Sequence, residues 1–314
     1  MTEFFRGFRS SPDQARDNQT AYMHTSKIVH QTQLGSSING DSANEMEKIG
    51  DGEVDLILTS PPFALTKKKS YGNVSAGEYL DWFDPFADEM VRVLSEDGSI
   101  VIDLGGAFTP GQPTRVTYQW ELLLHLMKRH NLYLCQEFYH YNPARLPSPA
   151  QWVNIERIRV KDSVNVVWWL SKTSRPKANN RNVLTPYSES MKRVLKTGKY
   201  AKGTRPSGHR MSEVFAKDNN GAIPSNLLSL ANTSSNDPYM RACRKLGLKP
   251  HPARFPPQFA EFFVKFLTNK GDLILDPFAG SNTTGFVADQ MKRRWIAIEL
   301  DEQFAQAGAL RFEY

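Results

Sequence analysis

Hydrophobic and polar positions alternate along this chain in two kinds of block. Short apolar runs at Val54–Leu58, Ser99–Leu104, Leu273–Asp276 and Trp295–Glu299 have the length and composition of buried strands. Between Ala76 and Leu94, Tyr79, Phe83, Phe86, Met90 and Val93 recur every three or four residues, which predicts a helix with one apolar face; Asp97-Gly98 then turns the chain into the next strand. The same reasoning predicts helices over Asn44–Ile49, Thr117–His130, Phe259–Leu267 and Thr284–Met291, and strands over Tyr133–Tyr139 and Val164–Leu170. Such alternation predicts an α/β fold, a doubly wound, mostly parallel sheet with helices on both faces.

Two stretches fall outside this rhythm. Residues 1–26 are polar and aperiodic, broken by Ser10-Ser11-Pro12, and read as a tail. Residues 171–250 are rich in Lys, Arg, Asn, Ser, Pro and Gly and read as an inserted lobe between two halves of one domain, 27–170 and 251–314. Charge reinforces that division. The chain carries a net charge of +6, yet 171–250 alone holds 16 Lys or Arg against 4 Asp or Glu, so the remainder is net acidic. A basic block predicts a polyanionic partner. No apolar run approaches the ~18 residues of a membrane span, and the N-terminus has no signal-peptide pattern, so a soluble, intracellular protein without membrane contact is expected. The two cysteines, Cys135 and Cys243, have no metal-ligand spacing, and no metal is expected.

Two motifs carry chemistry. The first, Thr59-Ser60-Pro61-Pro62-Phe63, follows the strand Val54–Leu58. Its prolines stiffen the turn and remove backbone donors, leaving the Ser60 hydroxyl and Pro61 carbonyl as acceptors and Phe63 as a stacking face. The second, Asp276-Pro277-Phe278-Ala279-Gly280-Ser281-Asn282-Thr283-Thr284-Gly285, joins a strand to a helix, and its small residues let a ligand approach at the sheet edge. A triphosphate loop would need Lys and then Ser or Thr after Gly285, where Phe286 and Val287 stand. Glu299 ends the next strand about 20 residues after the loop, placed to accept bonds from ribose hydroxyls.

Together these segments resemble the amino-methylating DNA methyltransferases, in the circularly permuted order of their beta group. With Ala64-Leu65 and Tyr71-Gly72-Asn73 following, the wording is similar to the PvuII-type cytosine-N4 enzymes of restriction–modification systems. The resemblance implies a Rossmann-like methyltransferase sheet, S-adenosylmethionine as cofactor, and methyl transfer to the exocyclic nitrogen of a cytosine flipped out of duplex DNA. It implies that Ser60 and Pro61 hold the amino group, Pro62 shapes the turn, Phe63 stacks on the base, and Asp103, ending the strand Ser99–Leu104, accepts the proton. Asp103 reads otherwise as a cap on the following turn. Asp276, Phe278, Gly280, Ser281, Asn282 and Thr283, with Ala279 and Thr284 in the same loop, are implied on the methionine and ribose side, and Glu299 on the ribose. Asp41 is implied on the adenine amino group, although an Asp after Gly40 is equally a turn or helix cap. Pro252, Ala253 and Phe255 are implied beside the methionine; the bland reading of that segment is a proline-rich connector into a helix.

Adenine-N6 methylation is the alternative on the same scaffold, since Asp or Asn usually stands in those enzymes where Ser60 does. Cytosine-C5 chemistry needs a nucleophilic cysteine, usually after Pro, and here Leu134 and Ala242 precede the cysteines. A non-catalytic DNA-binding module would not need both motifs. Lys67, Lys68 and Lys69 beside the catalytic turn, and Arg175, Arg181, Arg193, Lys199, Arg205 and Arg210 in the lobe, are the candidate DNA contacts, with the lobe as target-recognition element. The resemblance further implies a cytoplasmic, nucleoid-associated bacterial or archaeal enzyme with a cognate restriction endonuclease as genetic partner. It leaves the recognition sequence and oligomeric state open.

Overall fold

In the computed structural model, which describes residues 26–64, 74–199, 203–204, 210–211, 217–232 and 237–313, the chain winds around one nine-stranded sheet. The elements in chain order are β1 (Lys27–Gln31), β2 (Gly35–Asn39), α1 (Ser42–Met46), β3 (Val54–Thr59), α2 (Tyr79–Val93), β4 (Leu94–Leu104), α3 (Tyr118–Arg129), β5 (Tyr133–Tyr141) and β6 (Val164–Ser171). After these come α4 (Glu189–Thr197), the small pair β7 (Gly203–Thr204) and β8 (Arg210–Met211), β9 (Leu227–Ser229), α5 (Pro238–Leu246), α6 (Pro257–Leu267), β10 (Leu273–Asp276), α7 (Thr283–Gln290), β11 (Arg294–Glu299) and α8 (Glu302–Ala309). The sheet order is β1-β2-β11-β10-β3-β4-β6-β5-β9.

Strands β2, β11, β10, β3 and β4 run parallel, so their carboxyl ends share one edge. Each central strand divides its side chains between two cores, as the two-residue period of a strand requires. Ile57, Ile100 and Ile102 pack with Tyr79, Phe83, Met90, Tyr118 and Leu122 of α2 and α3 on one face. Leu56, Leu58, Val101 and Ile274 pack with Phe259, Phe263 and Val287 of α6 and α7 on the other. At about 1.5–3 kcal/mol per large apolar side chain buried, these layers supply the main drive to fold.

The expected elements form, with corrections. The two expected strands Tyr133–Tyr139 and Val164–Leu170 are present, but β6 inserts antiparallel between β4 and β5. An antiparallel return needs no crossover helix, and the connection between them contains only the short helical turn Gln151–Ile155. Helix α1 begins at Ser42 rather than Asn44, because the Asp41 side chain accepts from the Ala43 and Asn44 amides and caps the helix there. Strand β2 (Gly-Ser-Ser-Ile-Asn) escaped the hydropathy pattern because it is polar, its contribution to the sheet being backbone pairing to β11 and β1.

The span 171–250 is not a separate lobe at either end. Lys177 bridges Asp55 (2.7 Å) and Asp272 (3.0 Å) at the amino ends of β3 and β10. Farther on, β9 joins the sheet beside β5, and Tyr239, Ala242 and Cys243 of α5 pack against Ala307 of α8 and Leu310. Helix α4 alone buries nothing; Ser188 caps its start and Gly198 (φ +62°) its end. Among the described residues no helix is long and apolar enough to cross a membrane.

Candidate active site

At the carboxyl edge of the parallel strands lies a cavity of about 590 Å³, in the ~300–1,000 Å³ range of ligand sites. Ser60, Pro61, Pro62, Phe63 and Asp103 line it, and so do Asp41, Pro252, Ala253, Phe255, Phe278, Ala279, Gly280, Ser281, Thr283 and Glu299. Two segments more than 200 residues apart thus face one another, because β3 and β10 are neighbours and both turns leave the same edge.

One buried carboxylate joins them. Asp276, at the end of β10, accepts from the Thr59 hydroxyl (2.7 Å), the Thr284 hydroxyl (2.7 Å) and the Phe278 amide (3.1 Å). Burial nevertheless pushes its pKa up to about 6. Asp276, Asn282 and Thr284 frame the loop 277–285 from behind and do not line the cavity. Asn282 adopts φ +53°, and its buried side-chain oxygen occupies the space a Cβ on Gly285 would need, at 2.3 Å.

The loop is clamped on two sides. Gly280 donates to Glu299 Oε2 (2.7 Å) and Asp301 to Glu299 Oε1 (2.9 Å), while burial raises the Glu299 carboxyl to about 7. From the far side Arg311 donates to the Ser281 carbonyl (2.6 Å) and hydroxyl (3.0 Å) and lies over the Tyr239 ring at 4.4 Å. Burial lowers the Arg311 pKa to about 10, which leaves it charged at neutral pH. Phe278 completes an aromatic wall with Trp82 (5.9 Å) and Phe86 (5.0 Å) of α2. Asp41 caps α1 and also lines the cavity. Ser42 holds the loop by donating to the Pro277 carbonyl.

On the catalytic side the Ser60 hydroxyl donates to the main-chain carbonyl of Asp103 (3.0 Å), so its lone pairs remain as acceptors. Tyr79 occupies the Pro62 carbonyl (2.8 Å). The end of β4 is pinned by Gln119 to the Leu104 carbonyl (2.6 Å) and by Tyr118 to the Gly105 carbonyl. Phe63 lies flush on Gly105, where a Cβ would come within 2.3 Å of the ring. Asp103 is 3% exposed and His140, its ring tilted against Phe259 at 5.0 Å, is 7% exposed. His140 Nδ1 and Asp103 Oδ2 are 3.5 Å apart, and among the described residues Asp103 Oδ1 and both His140 nitrogens have no hydrogen-bond partner.

Among the described residues the candidate DNA contacts do not converge. Lys67, Lys68, Lys69 and Arg205 lie outside the described residues, and only the backbone of Arg210 is described, in β8. Arg193 and Lys199 are exposed on and just after α4. Arg175 and Arg181 flank Lys177 and Asn179 on the amino edge of the sheet, opposite the cavity, held there by the Asp55 and Asp272 bridges and by the Asn179 amide on the Phe266 carbonyl (2.8 Å). Cavity residues absent from the expectations include Trp82, Phe86, Asn142, Arg145, Asn165, Asn232 and Arg254. Asn142 and Arg145 follow the strand end at Tyr141, a position where polar residues on a carboxyl edge could have been read as site residues. Among the described residues no group of three His, Cys, Asp or Glu side chains converges as a metal site.

Comparison with known proteins identifies the scaffold. A family model described as DNA methylase, of the N6/N4 methyltransferases, matches residues 54–309. The type II methyltransferase M.PvuII of Proteus hauseri is 46% identical over 288 residues, which span 91% of this chain and 86% of that protein. The solved PvuII DNA methyltransferase, named as cytosine-N4-specific, superposes with a TM-score of 0.74 at 40% identity, covering 91% of this chain and 89% of its own. The solved complex of M1.HpyAVI with SAM shares the fold at 17% identity and a TM-score of 0.52, covering 90% of this chain and 100% of its own. With its strands β3 through β11 inside the matched region and 46% of the aligned residues shared with M.PvuII, the chain belongs to the N6/N4 DNA methylase family.

Proposed function

We propose that the chain methylates the exocyclic N4 of cytosine in duplex DNA, with S-adenosylmethionine as donor, as the modification enzyme of a type II restriction–modification system. The observation that carries this reading is the single cavity that Ser60 shares with Gly280 and Glu299, together with 46% identity to M.PvuII.

The donor set suits the cofactor. The aromatic wall of Phe278, Trp82 and Phe86 matches a purine face, and Asp41, lining the same cavity, suits an amino group. Glu299 suits ribose hydroxyls, and Pro252, Ala253 and Phe255 with Ser281 and Thr283 suit the methionine portion. When bound, S-adenosylmethionine supplies a methyl group on a positively charged sulfur, open to direct displacement.

The chain's own residues prepare the nitrogen. An amino nitrogen conjugated to the ring is a poor nucleophile until its hydrogens are held out of the ring plane. Ser60, its own proton committed to the Asp103 carbonyl, accepts one amino hydrogen, and the Pro61 carbonyl accepts the other; the Pro62 carbonyl is already taken by Tyr79. Phe63, backed by Gly105, stacks on the extruded base and offsets part of the few kcal/mol that extrusion costs. Asp103, with His140 3.5 Å away, accepts the proton that the nitrogen sheds after transfer.

The test is nucleoside mass spectrometry of DNA from expressing cells. N4-methylcytosine should appear, and should vanish with Ser60→Ala. N6-methyladenine without N4-methylcytosine would reject the cytosine assignment.

A further inference from the structure

Residues 142–163 join the carboxyl end of β5 to β6. Their root belongs to the site: Asn142 and Arg145 line the cavity, as does Asn165 just beyond the loop. The loop is braced by its own bonds. Asn142 donates to the Ser163 carbonyl (2.9 Å), Ile158 to the Trp152 carbonyl (2.9 Å), and Lys161 Nζ to the Pro143 carbonyl (3.0 Å). A neighbouring turn supports it through Arg115 to Asp162 (2.9 Å) and Arg159 to the Pro113 carbonyl (3.1 Å).

A loop so well braced presents an unusual surface. Leu146 is 80% exposed, Ile155 68%, Ile158 48% and Val160 89%. Basic residues interleave them in the run Ile155-Glu156-Arg157-Ile158-Arg159-Val160-Lys161. Arg157 holds φ +59°, is exposed, and among the described residues has no hydrogen bond or ion pair. Left-handed backbone at a non-glycine residue is a local cost, met here by a side chain aimed at solvent. Clustered exposed apolar side chains mark an interaction surface. The basic residues restrict the partner to one carrying negative charge, and the adjoining cavity restricts it to the molecule that enters the active site.

On the reading of this chain as a DNA methyltransferase, we propose that the loop 142–163 is a DNA-contacting wedge, in which Leu146 and Val160 press against the base steps unstacked around the extruded nucleotide and Arg157 grips a phosphate. An apolar wedge fills space that an extruded base leaves and offsets the cost of unstacking. A fixed backbone presents that wedge without an ordering cost on binding. The basic span 171–250 then shares DNA contact with a loop outside it.

The test uses the full chain and a duplex carrying the motif that methylation mapping of expressing cells returns, with 2-aminopurine beside the target base. The parent protein should bind it and raise its fluorescence. Leu146→Ser/Val160→Ser should keep the parent's affinity for S-adenosylmethionine, which reports an intact fold, while losing about tenfold or more in DNA affinity and most of the fluorescence rise. Arg157→Gly removes the charge at a backbone angle glycine favours, so folding is not the variable. It should lower the slope of log affinity against log salt concentration by about one. If both variants match a parent that binds DNA, the wedge is wrong and the methyltransferase reading stands. If the parent binds S-adenosylmethionine but no DNA, both fall.

Discussion

Gly105→Ala adds one methyl group at the place where the catalytic turn meets β4, and the geometry specifies its effect. A Cβ there would sit 2.3 Å from Phe63 Cε2, 2.6 Å from Cδ2 and 3.1 Å from Cζ, against ordinary contacts of 3.4–4 Å. One side must retreat by about 1 Å. The strand end is held by Tyr118 on the Gly105 carbonyl and Gln119 on the Leu104 carbonyl, so the ring moves. If Phe63 stacks on the target base, its displacement forfeits much of a contact worth ~1–3 kcal/mol. That converts to a fall in kcat/KM of about 5- to 150-fold. The cofactor loop, on β10 and α7, is untouched, so affinity for S-adenosylmethionine should stay at the parent's value. Methyl transfer from radiolabelled cofactor measures the first quantity and titration calorimetry the second. A double-mutant cycle separates ring displacement from general damage: in a Phe63→Ala background the methyl group meets no ring, and Gly105→Ala should then be nearly neutral. Transfer within twofold of the parent for Gly105→Ala alone, or an equal loss in both backgrounds, would refute the reasoning.

Cofactor affinity should depend on pH through Glu299, whose carboxyl burial raises to about 7. Only the ionised form accepts from two ribose hydroxyls, so affinity should rise with pH and level off above about 7, falling up to about tenfold per unit below it; calorimetry on the parent and Glu299→Gln checks this, and an equal slope in both would exclude Glu299. The unliganded protein carries the opposite sign: a carboxyl raised by folding stabilises most below its ordinary value, and that contribution is lost as pH rises through about 7. Arg311→Leu removes two charge-assisted bonds to Ser281, each worth ~1.5–3 kcal/mol; thermal unfolding should show a lower midpoint, and S-adenosylmethionine should bind at least about tenfold more weakly even at temperatures where the variant is folded. Arg181→Ala, on the edge opposite the cavity, should leave DNA affinity and its salt slope unchanged in a binding titration, despite the basic stretch it belongs to.

What the sequence made legible is chemistry that stays local. β3 and β10 are buried on both faces, so their apolar runs stand out, and the turn that follows each strand inherits a known position at the sheet edge. Ser60, Phe63, Gly280 and Glu299 could be placed in one cavity on that basis alone. Bonds between distant segments leave no such pattern. Thr59 meets Asp276 across 217 positions, and Arg311 reaches Ser281 from a turn after the last helix; neither polar partner carries a local signal. Asn232 is delivered to the cavity just after β9, a strand too short for periodicity to reveal. Charge counting is blind to position for a related reason. It registers the sign of Arg175, Lys177 and Arg181 but not the edge on which they lie, and Lys177 is spent on Asp55 and Asp272, binding the amino ends of β3 and β10 together. A basic stretch can therefore hold the back of a sheet and still inflate the apparent footprint for DNA, whereas the run from Ile155 to Lys161, with a smaller excess of charge, belongs to the loop whose first residues, Asn142 and Arg145, line the cavity.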